Sequence, residues 1–192
     1  MPHRSAFIRV LSATVVVALM LASFPSVVGA FNNFDTECWW DNPSGLLVVT
    51  GQYSNQLIPG QPEYLPNYGN GIETARARWN STPTKVIVSR GDWTSPSWFA
   101  LYWAQDGNWG YTWWYCHAFY SMDHFDARVN TFYPETNDAT LAASVFTHEV
   151  GHGLGLGHST VANAVMNPYA NRYIYMSPAQ DDIDGLNYMY PR

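Results

Sequence analysis

The sequence has few charged residues and only two cysteines, and it contains no cluster of basic residues. Charged side chains make up 12% of the 192 residues, with 9 Lys and Arg against 15 Asp and Glu. A chain with a net charge of −6 and no basic patch is poorly suited to nucleic acid, because phosphate contacts require clustered cations. We therefore expect no nucleic acid partner. The sequence also has no internal repeat and no linker that would divide it into two domains.

Long apolar runs are scarce as well, and the only one lies near the N-terminus. Arg4 and Arg9 precede fifteen apolar or small residues, VLSATVVVALMLASF, and the small residues Val28-Gly29-Ala30 follow. A basic start, a short apolar segment and a small-residue ending are typical of a signal peptide, so we predict export and cleavage after Ala30. The alternative is an uncleaved membrane anchor, but the run is shorter than the ~20 residues that span a bilayer.

Residues 31–192 would then form a single, secreted, extracellular domain, which we expect to be a monomer. Seven basic and fifteen acidic residues give this part a net charge of −8. Its only cysteines, Cys38 and Cys116, most simply form one disulfide in an exported chain. The alternative is that the Cys38 thiolate binds a metal and keeps the protein latent, which would leave Cys116 unpaired.

Short strands and a few helices are predicted along this domain. Strands are predicted at 46–50, 85–90 and 127–133, shorter strands within 92–120, and helices at 71–80, about 138–154 and 177–190. Ser177 as N-cap, followed by Pro178 and Gln180, has the pattern of a capping box. A few strands, two or three helices and no repeated βαβ rhythm indicate an α+β fold.

Residues 92–120 contain six of the nine tryptophans. Such a segment could form a surface that binds a sugar or another polymer. The alternative is that the large side chains pack a twisted sheet in which every second position is half exposed. We favour this second interpretation, because aromatic residues are common in strands for packing reasons alone.

Three of the six histidines lie in the eleven-residue stretch HEVGHGLGLGH, which begins at His148. On a helix, His148 and His152 project from the same face. His158 can join them only if the helix ends and the chain turns back. Gly155 suits that turn, because glycine adopts the left-handed conformation that often follows a helix end.

This spacing predicts a catalytic metal site. Three neutral imidazoles suit Zn²⁺ and leave a fourth tetrahedral position for water. Glu149 follows the first histidine and points beside the metal position, where a general base for that water belongs. We therefore predict one catalytic Zn²⁺ with His148, His152 and His158 as ligands and Glu149 as the catalytic residue. The alternative, three unrelated surface or core histidines, requires coincidence at every position.

The pattern H-E-x-x-H-x-x-G-x-x-H resembles that of the metzincin metalloproteases, in which a Met-turn follows the third histidine. Met166 lies in AVMNPY, eight residues after His158, and would form a hydrophobic floor beneath the metal. Ser159, the Met-x-Pro of residues 166–168 and the ending SPAQDDIDGLNYMY resemble the matrixin (matrix-metalloprotease-like) branch, and in particular a secreted microbial member.

The resemblance implies a fold, a substrate and a reaction. The fold would be a metzincin-like catalytic domain with a small, twisted, mostly parallel sheet, an antiparallel edge strand, an active-site helix and a C-terminal helix. Pro168, Tyr169 and Ala170 would wall a substrate pocket, and residues 109–115 and 127–131 would hold an extended peptide. A protein or peptide would be the substrate, and Glu149 would activate a zinc-bound water that hydrolyses the peptide bond.

Other features leave alternatives open. The sequence contains no cysteine-switch propeptide of the Pro-Arg-Cys-Gly kind. His117 and His124, with Asp123 and Asp126 nearby, could bind a second ion, but ordinary surface histidines are the favoured interpretation. Calcium stays open, because no ligand set for it is recognisable. Two other functions also stay open: an exported polymer-binding protein that retains a zinc site, and a zinc hydrolase of a non-protein amide.

Overall fold

The computed structural model describes residues 38–41, 45–117 and 121–191, together with the backbone of residues 31–33. The predicted signal peptide, residues 1–30, and its cleavage point lie outside the described residues. Within the described ranges, no helix combines the length and the apolar character that crossing a bilayer requires.

The described part of the chain contains seven strands and three α-helices. In chain order they are β1 (Phe31–Asn33), β2 (Leu47–Tyr53), α1 (Pro66–Asn80), β3 (Val86–Arg90), β4 (Ser97–Tyr102), β5 (Gly110–His117), β6 (Ser121–Asn130), α2 (Ala139–Gly153), β7 (Leu156–Ser159) and α3 (Gln180–Met189).

Five strands form the main sheet in the spatial order β3-β2-β4-β6-β5. β2 runs parallel to β3 and β4, β4 runs parallel to β6, and β5 lies antiparallel at the edge. The predicted α+β fold, with a mostly parallel sheet and one antiparallel edge strand, is confirmed. β1 and β7 pair separately as an antiparallel ribbon.

Several element boundaries differ from the predictions: β2 extends to Tyr53, and β6 begins at Ser121, six residues before the predicted start. α1 begins at Pro66, five residues before the predicted start, because proline fits the first turn of a helix, where its missing N–H is not needed. Because β2 and β3 are parallel and α1 connects them, the three elements form a βαβ unit, which the sequence did not reveal. β6 ends at Asn130 and does not reach 133, because the Asn130 amide turns inward and donates to the carbonyls of Ala104 and Asn108 at 2.7 and 2.9 Å.

The predicted cap of the C-terminal helix is wrong. α3 begins at Gln180 with Ala179 as its N-cap residue, whereas Ser177 was expected to cap it. The Asp182 carboxylate accepts the Ala179 N–H at 2.7 Å and also accepts the two backbone amides of residues 165–166 at 2.9 and 3.1 Å. The start of this helix is therefore fixed by a contact with a distant segment, which a local sequence pattern cannot reveal.

α2 begins where the sequence predicts and is buried from Leu141 to its end. The Asp138 carboxylate accepts the backbone N–H groups of Thr140 and Leu141 at 3.0 and 2.9 Å, which satisfies two otherwise unpaired donors at the helix start. α1 packs alongside α2, and the Trp79 indole donates to the Thr147 carbonyl at 2.8 Å. This hydrogen bond joins the two helices in the core.

Two glycines near the end of α2 allow unusually close packing. A Cβ at Gly151 would collide with Met166 and would lie 2.9 Å from the Trp79 ring. A Cβ at Gly153 would lie 2.5 Å from the Phe125 ring of β6. Real Cβ contacts are longer, so these positions require glycine for packing reasons, in addition to the turn that Gly155 makes.

The Cys38–Cys116 disulfide is present, as predicted, and joins residues separated by 78 positions. It fixes the segment 38–41 against the end of β5. In this segment the Trp40 indole donates to the Gly153 carbonyl at 2.9 Å, and its ring packs edge-on against Phe125. The disulfide therefore holds a tryptophan that contacts the C-terminal end of α2.

We expect Gly153→Ala to destabilise the protein by about 1–3 kcal/mol, because the added methyl group would push against the Phe125 ring. Helix propensity alone predicts the opposite sign, a gain of up to ~1 kcal/mol for alanine over glycine. Urea unfolding followed by circular dichroism distinguishes the two. A midpoint equal to or above that of the unmodified protein would show that the helix end is not tightly packed.

Removing the disulfide should lower stability by about 2–4 kcal/mol, because the cross-link restricts a long loop in the unfolded chain. Thermal unfolding of the double variant Cys38→Ser/Cys116→Ser measures this loss. Dithiothreitol should lower the Tm of the unmodified protein and leave that of the double variant unchanged. Equal Tm values for both proteins without reductant would contradict a stabilising role.

Candidate metal centre and active site

α2 places His148 and His152 side by side, both more than nine-tenths buried. Their ring centroids are 4.7 Å apart. The Nδ1 of His148 lies 2.8 Å from the Val165 carbonyl, and the Nδ1 of His152 lies 2.8 Å from the Leu156 carbonyl. An Nδ1–H that donates to a carbonyl leaves the Nε2 lone pair of each ring available for an ion, which is the usual arrangement of metal-binding histidines.

The chain reverses at Gly155, which has a φ of +97°. The helix ends two residues earlier, at Gly153, and the carbonyls at its end have partners from distant parts of the chain. The Tyr190 hydroxyl donates to the Leu154 carbonyl at 2.8 Å, and the Trp40 indole donates to that of Gly153. These contacts satisfy acceptors that a helix end leaves without partners. The turn leads directly into β7, which carries His158.

His158 thereby reaches the two helical histidines. Its ring centroid lies 5.3 Å from that of His148 and 4.9 Å from that of His152. One nitrogen from each of the three rings lies within 4.8 Å of the others. In the described part of the chain this is the one group of three or more His, Cys, Asp or Glu side chains close enough to share an ion.

The electrostatic surroundings keep these imidazoles neutral. Burial lowers the pKa of His148 well below its ordinary value, and His152 and Arg172 lower it further. Burial also lowers the pKa of His152, to about 3, although the hydrogen bond with the Leu156 carbonyl acts in the other direction. The pKa of His158 is lowered as well, mainly by burial. A neutral ring is the form that binds a metal ion.

Glu149 is buried beside the histidines and is held by β5. Its Oε2 accepts the Thr112 hydroxyl at 2.7 Å. Burial raises the pKa of Glu149 to about 7, while Thr112 and Arg172 act to lower it. A Cβ at Gly110 would lie 2.5 Å from the Glu149 Oε1 and 2.6 Å from the Val145 Cγ1, so the glycine leaves room for the carboxylate in the position that it occupies. A carboxyl group with a pKa near neutrality can both accept and release a proton.

Met166 lies beneath α2 and is 1% exposed. Its neighbour Val165 connects two parts of the site, because its N–H donates to the Asp182 carboxylate of α3 at 2.9 Å and its carbonyl contacts the Nδ1 of His148. The Met166 N–H donates to the same carboxylate. The position of one histidine is thus tied to the start of α3, a connection that the sequence motifs did not indicate.

A cavity of about 680 Å³ opens above the histidines. β5 lines one side with Gly110, Tyr111 and Thr112, and Pro168 and Arg172 line another. Of the other residues expected to wall a pocket, Tyr169 is 95% exposed, and Ala170 is partly exposed and does not line the cavity.

Arg172 was not singled out by the sequence analysis. Its side chain is only 7% exposed, and its guanidinium donates to the carbonyls of Val165 and Asn167. Its Nη2 also lies 2.9 Å from the Nδ1 of His148. When Nδ1 carries the proton that it donates to Val165, this contact is not a hydrogen bond, because both groups are then donors. No recognisable motif surrounds Arg172, so spacing alone could not have identified it.

The four residues suggested for a second metal ion do not form one compact group. Asp123 lies 3.1 Å from His124 and 3.9 Å from His117, and both Asp123 and His117 are exposed. The His124 ring stacks on Tyr115 at 4.1 Å, and Asp126 pairs with Arg128 at 2.7 Å. Each of these side chains therefore has a partner of its own, and the buried Asp126 pairs with a cation instead of facing the histidines.

Within the aromatic segment, β5 follows the alternation of a strand with one exposed face, whereas Trp93 and Trp103 lie outside the strands and are 84% and 72% exposed. On β5, Tyr111, Trp113 and Tyr115 are exposed and Thr112 is buried. Tyr111 and Trp113 pack edge to face at 4.9 Å. The pattern agrees with large side chains on the half-exposed face of a sheet.

The chemistry of the donor set fits Zn²⁺. Three neutral nitrogen donors converge, and two of the rings are oriented by carbonyls, as expected for zinc ligands. Three protein ligands leave room for a water or substrate atom, which is the pattern of catalytic rather than structural zinc sites.

Comparison with known proteins gives several partial matches. Stromelysin-3 of Mus musculus is 37% identical over 81 residues, which are 40% of this chain and 16% of that protein. Metalloendoproteinase 1 of Glycine max is 40% identical over 86 residues, which are 38% of this chain and 28% of that protein. The chain thus matches less than a third of the length of either relative.

A solved structure supports the fold, and a family model covers most of the chain. The fold is similar to that of High choriolytic enzyme 1, a hatching enzyme zinc-protease from Oryzias latipes, with a TM-score of 0.50, 13% identity, and coverage of 83% of this chain and 97% of that one. The model of the Matrixin family matches residues 19–191. Together with the three converging histidines, this match shows that the chain belongs to the matrixin family of the metzincins.

Proposed function

We propose that this protein is a secreted zinc-dependent endopeptidase. The observation that carries the proposal is the convergence of His148, His152 and His158 beside a buried carboxylate, Glu149, at the base of an open cavity. A site that only stabilised the fold would have no need of an acid–base group next to an open coordination position. Membership of the matrixin family supports the same function.

The roles of the residues follow from their positions. His148, His152 and His158 would hold Zn²⁺, which when bound supplies Lewis acidity that activates water and polarises a carbonyl. The Glu149 carboxylate would take the proton of the attacking water and then deliver it to the leaving amine. The Thr112 hydroxyl, which donates to the Glu149 Oε2, would hold this carboxylate in the orientation that proton transfer requires.

The substrate would bind as an extended peptide along β5. Among the described strands, β5 lies at the edge of the sheet, so one side of its backbone can pair with another chain. Pro168 faces the cavity from the other side, and Tyr169 and Ala170 would extend the wall of the substrate pocket along the surface. The cavity between these walls is the place for a side chain next to the cleaved bond.

Export is part of the proposal and rests on two features. Residues 1–30 have the composition of a signal peptide, and the Cys38–Cys116 disulfide is of the kind found in oxidising environments. We infer an extracellular, monomeric protein that acts on proteins or peptides.

Metal removal tests the proposal directly. We expect 1,10-phenanthroline to remove the ion and stop casein or gelatin hydrolysis, because only neutral histidine nitrogens would hold the ion in the site. Added Zn²⁺ should restore the hydrolysis. Metal analysis should give one zinc per chain for the unmodified protein and for His117→Ala, a surface histidine outside the cavity, and none for His158→Ala. Hydrolysis that persists in the metal-free protein would disprove a zinc mechanism.

Glu149→Gln should retain zinc and lose turnover by at least about 100-fold, because an amide cannot accept the proton of the attacking water. The exposed residue Glu63 offers a matched control, since Glu63→Gln makes the same chemical change away from the cavity. Zinc content and kcat are measured for both variants. A Glu149→Gln protein with the activity of the control would point to a metal-retaining binding protein instead of an enzyme.

A further inference from the structure

Arg172 brings a positive charge into the cavity beside the histidines. Among the residues that line this cavity, Glu149 and Arg172 are the only carboxylate and the only Arg or Lys. The guanidinium lies on the Nδ1 side of the His148 ring, with its Nη2 at 2.9 Å from that Nδ1. Its charge therefore lies next to the place where a bound peptide would be cleaved.

This cation has no close carboxylate partner. Among the residues that the structure describes, the ion pairs within 4.0 Å do not include Arg172. Its hydrogen bonds go to the two neutral carbonyls of Val165 and Asn167. Burial lowers the pKa of Arg172 below its ordinary value, while the charges of Glu149 and Asp182, which lie beyond ion-pair distance, act to raise it. A buried cation is costly unless anions compensate it, and here the described carboxylates act only from a distance.

The remaining donors of the guanidinium can bind an incoming anion. Arginine has five N–H groups arranged in a plane, and the two backbone carbonyls occupy only some of them. A carboxylate matches this planar arrangement and can accept two hydrogen bonds at once. An extended peptide advances only about 3.3 Å per residue, so a residue next to the cleaved bond can place its side chain over Arg172.

We propose that Arg172 makes this protein selective for substrates with an aspartate or glutamate next to the cleaved bond. The inference rests on the proposed endopeptidase function and adds the chemical class of its substrate. Arg172 acts as a specificity-determining residue, and its charge gains a carboxylate partner at hydrogen-bond distance when the acidic side chain binds.

A purely structural role makes a different prediction. Because Arg172 donates to the backbone of residues 165 and 167, it also holds the Met166 turn in place. If this were its only role, its loss would slow the cleavage of all peptides to the same extent. The ratio of kcat/KM between an acidic peptide and its neutral isostere would then not change.

The test compares matched peptides and matched variants. Two peptide pairs carry Glu or the isosteric Gln on one side or the other of the cleaved bond, and a further peptide carries Leu there. The proteins are the unmodified chain, Arg172→Gln, Arg172→Lys, and Arg90→Gln, which removes the same charge from an exposed position outside the cavity. Zinc content and Tm are measured for each protein, so that a folding defect is not mistaken for a change in specificity.

We expect the unmodified protein to prefer the Glu peptide in one of the two pairs. Its kcat/KM for that peptide should be about 10-fold to 100-fold above its kcat/KM for the Gln peptide, because one charge-assisted hydrogen-bonding contact can provide a difference of this size. The ratio should fall close to one in Arg172→Gln, stay intermediate in Arg172→Lys and remain unchanged in Arg90→Gln. If Arg172→Gln does not fold, the intermediate ratio of Arg172→Lys and a decline of the unmodified protein's preference with added salt test the same point.

Other results would overturn the inference in distinguishable ways. Zinc-dependent cleavage of the Gln and Leu peptides with no preference for Glu would leave the endopeptidase function intact and refute the role of Arg172. A Glu preference that survives unchanged in a folded, zinc-loaded Arg172→Gln protein would refute it as well. If the zinc-loaded protein cleaves neither casein nor any peptide, the proposed function fails, and the inference fails with it.

Discussion

The reversal of the chain at Gly155 is the constraint on which the rest of the site depends. His148 and His152 are neighbours on α2, but His158 can approach them only because the helix stops and β7 runs back. The reversal needs a residue that tolerates a φ of +97°, and it needs partners for the last helical carbonyls. Trp40 and Tyr190 supply those partners from opposite ends of the domain. The φ range that glycine tolerates and the long-range hydrogen bonds therefore both contribute to the same turn.

The same helix end also shows why glycine is so frequent there. A helix designed only for stability would use alanine at positions 151 and 153. Here the missing side chains let Met166 pack beneath the helix and let Phe125 approach it from the sheet. The burial that results offsets the loss of helix propensity, because close packing of apolar groups removes surface from water. The glycines thus serve packing at two positions and chain reversal at a third.

The sequence predicted those features of the site that depend on local spacing. The spacing of four between His148 and His152 and the glycine after the helix are both properties of one continuous segment, and both are found in the structure. The start of α3 could not be predicted in the same way. The Ser177 pattern is a good local cap, but the carboxylate of Asp182 fixes the helix start by binding residues 165–166 as well, and no local rule includes such a partner.

The groups around Glu149 depend on strand register, which is why no motif indicated them. Thr112 pairs with Ala127 of β6, and this register turns its hydroxyl inward to the carboxylate while Tyr111 and Trp113 face outward. A shift of one residue would exchange the two faces and direct a large aromatic ring at Glu149. Glu149 itself is thus specified by the sequence of α2. The Thr112 hydroxyl that donates to it, and the space that its carboxylate fills, depend on the pairing of β5 with β6. The chemistry of this site therefore requires the sheet edge to be placed as accurately as the helix.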